Sequence, residues 1–309
     1  MKSIILNTKN LLIVVVTVLT SMTSWADSYV NAKTKYVEVN GSKIAYRMYG
    51  STSGTGTPIF LLMHTRGNMD GWDPTLLDIL AKNRQVIAFD NRGVGLSSGN
   101  APESFAEMAD DAALIIKALG FSKVDLLGFS IGGAIAQELL IRHNDLIRKA
   151  IIAGSSARGG VGVNDLSEKS KSVSTKKEFT DDDILYAFFA QTPSSQKLGR
   201  QYLERIKIRK SDLDKPVSMQ AVKAQAIARQ DWGTQTASPD KRMSTVKNSI
   251  LIANGKDDIR MPTINSYNLF QIAPKAQLVL YPDSGHGFLF QYPELCGENF
   301  VDFLDQKEF

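Results

Sequence analysis

The sequence predicts an α/β fold, a mostly parallel, doubly wound sheet with a helical segment inserted late in the chain. Three observations predict it. Short apolar runs at 59–63, 85–89, 147–153 and 248–253 read as strands, several with the continuous pattern of strands buried on both faces. From residue 59 onward, helical patterns alternate with these runs, the rhythm of parallel strands joined by crossover helices. Between 155 and 249 that rhythm gives way to helical patterns alone, at 181–190, 196–207 and 217–232.

The 309 residues, 43% of them hydrophobic, suffice for one sizeable core with room for an inserted subdomain. The formal net charge is +4, with both signs interspersed, so the chain lacks the basic stripe of a nucleic-acid-binding protein. At the N-terminus Lys2 and Lys9 precede an apolar run at 11–19, and Ser24-Trp25-Ala26 puts small residues at the two positions a signal peptidase reads. Residues 1–26 therefore read as a bacterial-type secretory signal directing the chain to a periplasm or the medium. The run is shorter than the roughly 20 apolar residues of a membrane span, so no stable insertion is expected after cleavage. An uncleaved anchor is the alternative. Cleavage would leave a charge of +2 and Cys296 as the only cysteine, so the exported chain would be held by its core without an internal disulfide. The expected divisions are a signal at 1–26, core at 27–154, helical insertion at 155–247 and core again at 248–309.

Taken in order, 35–39 and 43–48 alternate apolar and polar residues around Asn40-Gly41, a type I′ hairpin signature. Residues 50–58 form a turn-rich connection to the strand at 59–63. Asp73-Pro74 supplies an N-cap and a first-turn proline for a helix to about residue 83. The strand at 85–89 runs into Asp90-Asn91-Arg92-Gly93, a tight loop that Asp90 and Arg92 are placed to cross-brace. Ser104 and Glu107 make a capping box for an amphipathic helix ended by Gly120. A strand from 124 then leads through Gly128-Phe129-Ser130-Ile131-Gly132-Gly133 into a helix carrying Ile135, Leu139 and Leu140. The last strand is 277–281, and a helix from 293 to 304 closes the chain.

Strand, glycine-flanked serine and helix at Gly128-x-Ser130-x-Gly132 resemble the nucleophile elbow of α/β-hydrolases. The resemblance extends to the Asp90–Ser97 segment, similar to the family's D-x-R-G-x-G-x-S, and to the helical insertion, which resembles the family's caps. It implies an oxyanion hole made by the backbone N–H groups of Ile131 and Arg66. Here Thr65 follows His64 where the family usually has glycine, a departure that bears on the local backbone. His64 reads as structural or as touching substrate, and Arg66 as pointing to solvent or offering a cation near the site. The family's G-x-x-D-x-x-x-P spacing after the penultimate strand selects Asp258, with Asp257 the competitor, and Gly285-His286-Gly287 supplies the histidine. His143 reads as a surface or helix-capping residue.

The order Ser130, Asp258, His286 is the nucleophile, acid, base order of the family. Serine at the elbow disfavours the aspartate chemistry of dehalogenases and epoxide hydrolases, and Gly-Phe-Ser-Ile-Gly-Gly is similar to elbows of small carboxylesterases and cofactor-free haloperoxidases. The expected activity is hydrolysis of a small-molecule carboxylic ester or lactone through an acyl-enzyme. Peptidase, amidase or perhydrolase chemistry, or a non-catalytic binding role on the same fold, are the alternatives. One cysteine and three dispersed histidines form no ligand cluster, so neither metal nor organic cofactor is expected. The insertion holds 17 Lys/Arg against 11 Asp/Glu, which reads as a solvated surface or as a preference for an anionic or carbonyl-rich substrate. Its aromatics, Tyr186, Phe188, Phe189, Tyr202 and Trp232, read as packing or as pocket walls.

Overall fold

The computed structural model describes residues 28–234 and 240–307. The run at 11–19 and the expected cleavage point after Ala26 lie outside the described residues. One eight-stranded sheet has the order β1-β2-β4-β3-β5-β6-β7-β8. β1 (Thr34–Val39) and β2 (Ser42–Gly50) form an antiparallel hairpin, and β2 also pairs antiparallel with β4 (Gln85–Phe89). Asn40 and Gly41 both have positive φ, 49° and 70°, as a type I′ turn requires. All other pairings are parallel, through β3 (Ile59–Leu62), β5 (Val124–Phe129), β6 (Ile147–Ala153), β7 (Ser249–Gly255) and β8 (Ala276–Tyr281).

The parallel strands are apolar throughout because both faces are covered. Ile59, Leu61, Leu127 and Phe129 pack on one side with α1 (Pro74–Leu80), α9 (Phe288–Gln291) and α10 (Pro293–Asp305). Phe60, Leu62, Leu126 and Ile152 pack on the other with α2 (Phe105–Ala118) and α3 (Ile131–Arg142). This is the doubly wound arrangement expected from the alternation.

Between β6 and β7 lie α4 (Glu168–Thr175), α5 (Asp181–Phe188), α6 (Pro193–Ile206) and α7 (Met219–Trp232). Arg205 of α6 ties this segment to the sheet domain, donating to the Asp73 carboxylate at 2.7 Å and to the Phe290 carbonyl at 2.7 Å. Among the described residues no helix is long and apolar enough to cross a membrane.

Two local expectations are corrected. Asp90 and Arg92 do not brace one another: Asp90 accepts from the Met69 and Leu96 amides at 3.0 and 2.9 Å, while Arg92 pairs with Asp111 and Glu107. Since Glu107 is taken by Arg92, only half of the capping box forms, the Glu107 N–H donating to Ser104 Oγ. Two helices lacked a readable stripe: α4, which buries only Ser170 and Val173, and α8 (Ile264–Ile272), whose Ile264 and Tyr267 are exposed.

Candidate active site

β5 delivers Ser130 at the sharp reversal into α3, with φ 59° and ψ −119°, a conformation non-glycine residues rarely adopt. The flanking glycines make the reversal possible. A Cβ on Gly132 would lie 2.0 Å from the Leu62 carbonyl oxygen, and one on Gly128 would lie 2.3 Å from that of Gly132. The Ser130 N–H donates to the Ala153 carbonyl at 2.9 Å, which pins the turn to β6. No described residue accepts or donates a hydrogen bond at Ser130 Oγ, so the hydroxyl is free to meet a ligand.

Beyond β7, Asp258 is buried and fully engaged. One carboxylate oxygen, Oδ1, accepts from the Arg260 and Met261 amides at 2.7 and 2.8 Å, and Oδ2 faces His286 Nδ1 at 2.7 Å. A carboxylate accepts, so Nδ1 carries the proton and Nε2 is left with its lone pair. The imidazole lies 4.9 Å from the Phe129 ring and 5.7 Å from that of Phe188, so its orientation is fixed by packing as well. Asp257, by contrast, is exposed, and its contact with this loop is a backbone one, its N–H donating to the Ser284 carbonyl at 2.8 Å.

The segment after β3 resolves the question raised by Thr65. The left-handed residue is Arg66, at φ 64°, while Thr65 has negative φ, which a β-branched side chain accepts. His64 Nδ1 lies 2.7 Å from the Thr65 carbonyl oxygen and holds that peptide in place. The ring is packed edge-on against Phe129 and Phe188. Burial pushes the His64 imidazole down to about 4, so at neutral pH it is an uncharged Nδ1–H donor. Between about pH 6.5 and 4 the unfolded chain therefore binds a proton that the folded chain refuses, and stability falls as pH falls. Lowering the pH from 7 to 4.5 is expected to remove about 2 to 3 kcal/mol through this group. Urea unfolding at both pH values, compared with His64→Gln, checks the result: the variant loses that much less.

The two amides expected to hold an oxyanion have different occupancy. The Ile131 N–H, opening α3, has no acceptor among the described residues. The Arg66 N–H donates to Gln225 Oε1 at 2.9 Å, an amide oxygen reaching in from α7.

Ser130, Ile131, His286, His64 and Arg66 share one cavity of about 100 Å³, closed on its far side by the inserted helices. Of the aromatics singled out in the sequence, Phe188 and Trp232 line it. Phe189 and Tyr202 are core, and Tyr186 lies 3.4 Å from Ser170 Oγ. His143 ends α3 and contacts Asp110 at 2.7 Å. Buried Cys296 has its thiol pKa raised by desolvation, which makes it a poor nucleophile.

Sequence reasoning passed over Gln225, Arg229 and Arg260. The first two were readable in principle: Val222, Gln225, Arg229 and Trp232 recur at helical spacing on α7, a stripe in which two polar residues interrupt an apolar face. Arg260 sits two residues past Asp258 in the same loop and lines the cavity, its guanidinium donating to the Ser170 carbonyl and to Ser174 Oγ.

Known proteins share this fold. A family model described as alpha/beta hydrolase fold matches residues 58–293. The solved alpha/beta hydrolase fold protein from Chitinophaga pinensis is 38% identical, with a TM-score of 0.83 over 90% of this chain and 99% of that one. The 2-hydroxymuconate semialdehyde hydrolase of Pseudomonas sp. (strain CF600) is 26% identical over 83% of this chain and 89% of its own. Est816, described as an N-acyl homoserine lactone degrading enzyme, shares the fold at 24% identity and TM-score 0.66, covering 87% of this chain and 100% of that one. With the matched region running from residue 58, just before β3, to residue 293, the first of α10, the chain belongs to the α/β-hydrolase family.

Proposed function

We propose that the protein is a serine hydrolase that cleaves a small carboxylic ester or lactone through an acyl-enzyme. The observation that carries this reading is the Asp258–His286 contact at 2.7 Å, with His286 lining the same cavity as the elbow serine. His286 Nε2 takes the proton from Ser130 Oγ as the oxygen adds to the substrate carbonyl carbon. The imidazolium that forms is stabilised by Asp258. Collapse of the tetrahedral adduct expels the alcohol oxygen, which receives that proton, and water activated by the same histidine releases the acid. The Ile131 and Arg66 amides hold the oxyanion, each worth roughly 3 kcal/mol in comparable sites.

For that, the substrate oxygen must take the place of Gln225 Oε1 on the Arg66 amide. This contact also favours a second reading, a binding protein of hydrolase fold whose oxyanion site is closed by its own cap. The two diverge on treatment with a fluorophosphonate probe and p-nitrophenyl acetate. A hydrolase is labelled at Ser130 and turns over the ester; a folded binding protein does neither. In the hydrolase reading Gln225→Ala removes the competitor, and labelling is expected to accelerate about two- to tenfold, the net worth of one hydrogen bond. Stopped-time labelling with peptide mass spectrometry measures it, and an unchanged or slower rate argues that Gln225 supports the site.

Export is part of the proposal. The basic residues, apolar run and Ser24-Trp25-Ala26 of the first 26 residues support it, and N-terminal sequencing of protein recovered from fractionated cells tests it: a mature chain that begins at Asp27 agrees, an intact N-terminus does not.

A further inference from the structure

We infer that the substrate carries a carboxylate, bound jointly by Arg229 and Arg260 on the cavity wall. The inference rests on the acyl-transfer reading of the same cavity and names its substrate class.

Elsewhere in the molecule, buried and half-buried arginines are matched to acids: Arg47 with Asp70, Arg84 with Asp305, Arg148 with Asp125, and Arg205 with Asp73. The cavity breaks that rule. Neither Arg229 nor Arg260 forms an ion pair with a described residue. Arg229 Nη1 donates to the Val163 carbonyl at 2.6 Å, while Arg260 donates to the Ser170 carbonyl at 3.3 Å and to Ser174 Oγ at 2.9 Å. Neutral acceptors orient the two guanidiniums without neutralising them.

A partly desolvated, unmatched cation is costly, and two beside each other repel. Both effects register: burial lowers the pKa of each guanidinium, and the charge of Arg229 lowers that of Arg260 further. The acid that offsets this at Arg260 is Asp258, already committed to His286 and two backbone amides. Asp183, which faces Arg66, is engaged by Lys176. A ligand anion is the charge the wall lacks. Arg66 adds a third cation to the lining, held by the Ser174 and Lys177 carbonyls at 3.2 Å.

The chemistry favours a carboxylate over a phosphate dianion. Each guanidinium has part of its donor fork occupied, and the lining contains no lysine, so the donors left over suit a group of two oxygens and one charge. Val163, Leu166, Phe179 and Ala187 on the same walls suit an apolar chain between that carboxylate and the reacting carbonyl.

The test compares mono-4-nitrophenyl esters of succinate, glutarate and adipate with their methyl-capped counterparts. Wild type is expected to give a kcat/KM at least tenfold higher for the free acid of the best-fitting length, with the preference shrinking as ionic strength rises. Arg229→Gln and Arg260→Gln should each lower that acid-to-methyl-ester ratio about tenfold, and Arg260→Lys should restore part of it. Arginines that merely brace the loops would change melting temperature and leave the ratio intact. Equal rates for acid and methyl ester in wild type, or a preference surviving the double substitution, overturns the inference. If no ester is turned over, calorimetric titration of glutarate into wild type separates the two readings. Saturable binding lost in Arg260→Gln upholds the anion site while the acyl-transfer reading falls, and absence of binding removes both.

Discussion

Replacing Ser130 by alanine is expected to lower kcat/KM for p-nitrophenyl acetate by about 10⁴- to 10⁶-fold and to abolish fluorophosphonate labelling. The size follows from the site's construction. Everything else that acts on the carbonyl, the two amides and the imidazole, stays in place and can only assist water. The fold should not suffer. The hydroxyl has no hydrogen bond with a described residue to lose, and the turn is held by the Ser130 N–H to the Ala153 carbonyl, which alanine keeps. The substitution therefore separates chemistry from stability. The serine carries backbone strain at φ 59°, so Ser130→Gly should melt higher than Ser130→Ala while being equally inactive. Turnover surviving in the alanine variant, with the wild-type melting curve retained, would move the nucleophile elsewhere.

How much of this was readable beforehand depended on how local each cause is. Asn40-Gly41 announces its hairpin because two consecutive left-handed residues leave few other choices. The elbow is legible because steric exclusion at Gly128 and Gly132 acts through the backbone within a few residues or through a neighbouring strand that the rhythm already implied. Asp258 and His286 are 28 positions apart, yet both follow predicted strands, so sheet topology alone brings them to one end.

The rest depended on partners that spacing does not encode. Asp90 and Arg92 are adjacent enough to pair, but Asp90 instead takes the Leu96 amide within the loop and the Met69 amide from outside it, and Arg92 takes Asp111 and Glu107 of α2. The contact between Arg66 and Gln225 spans 159 positions. Thr65 looked like the weak point of the oxyanion loop because glycine is usual there, but the structure shifts the unusual dihedral onto the next residue. The arginines of the cavity wall are informative through missing acids, a property of the assembled wall and of no single segment. The basic surplus of the insertion, which contains Arg229, hinted at it without saying which of its 17 cations would be left unmatched, and Arg66 and Arg260 lie outside that segment.

Asp258→Asn is expected to lower kcat/KM about 10³- to 10⁴-fold, with Asp257→Asn close to wild type. The difference follows from which atoms each carboxylate meets. At 258 an amide has two ways to sit. With its oxygen toward the Arg260 and Met261 N–H groups, its NH₂ faces His286 Nδ1, which must then give up its proton and become the acceptor. The imidazole is driven to the tautomer protonated at Nε2, and the atom that should take the serine proton already holds one. Flipped, the amide restores the imidazole but points its NH₂ at two backbone donors, leaving them unmatched in a buried loop. Two lost hydrogen bonds outweigh one, so the first orientation prevails and the protein folds with the wrong base. Asp257 is exposed and joins the loop through its own backbone amide, which asparagine keeps. Parallel measurement of kcat/KM for the two variants decides between the acids: the larger loss at Asp257 would mean that the carboxylate contacting His286 in this structure is not the one that orients it during turnover.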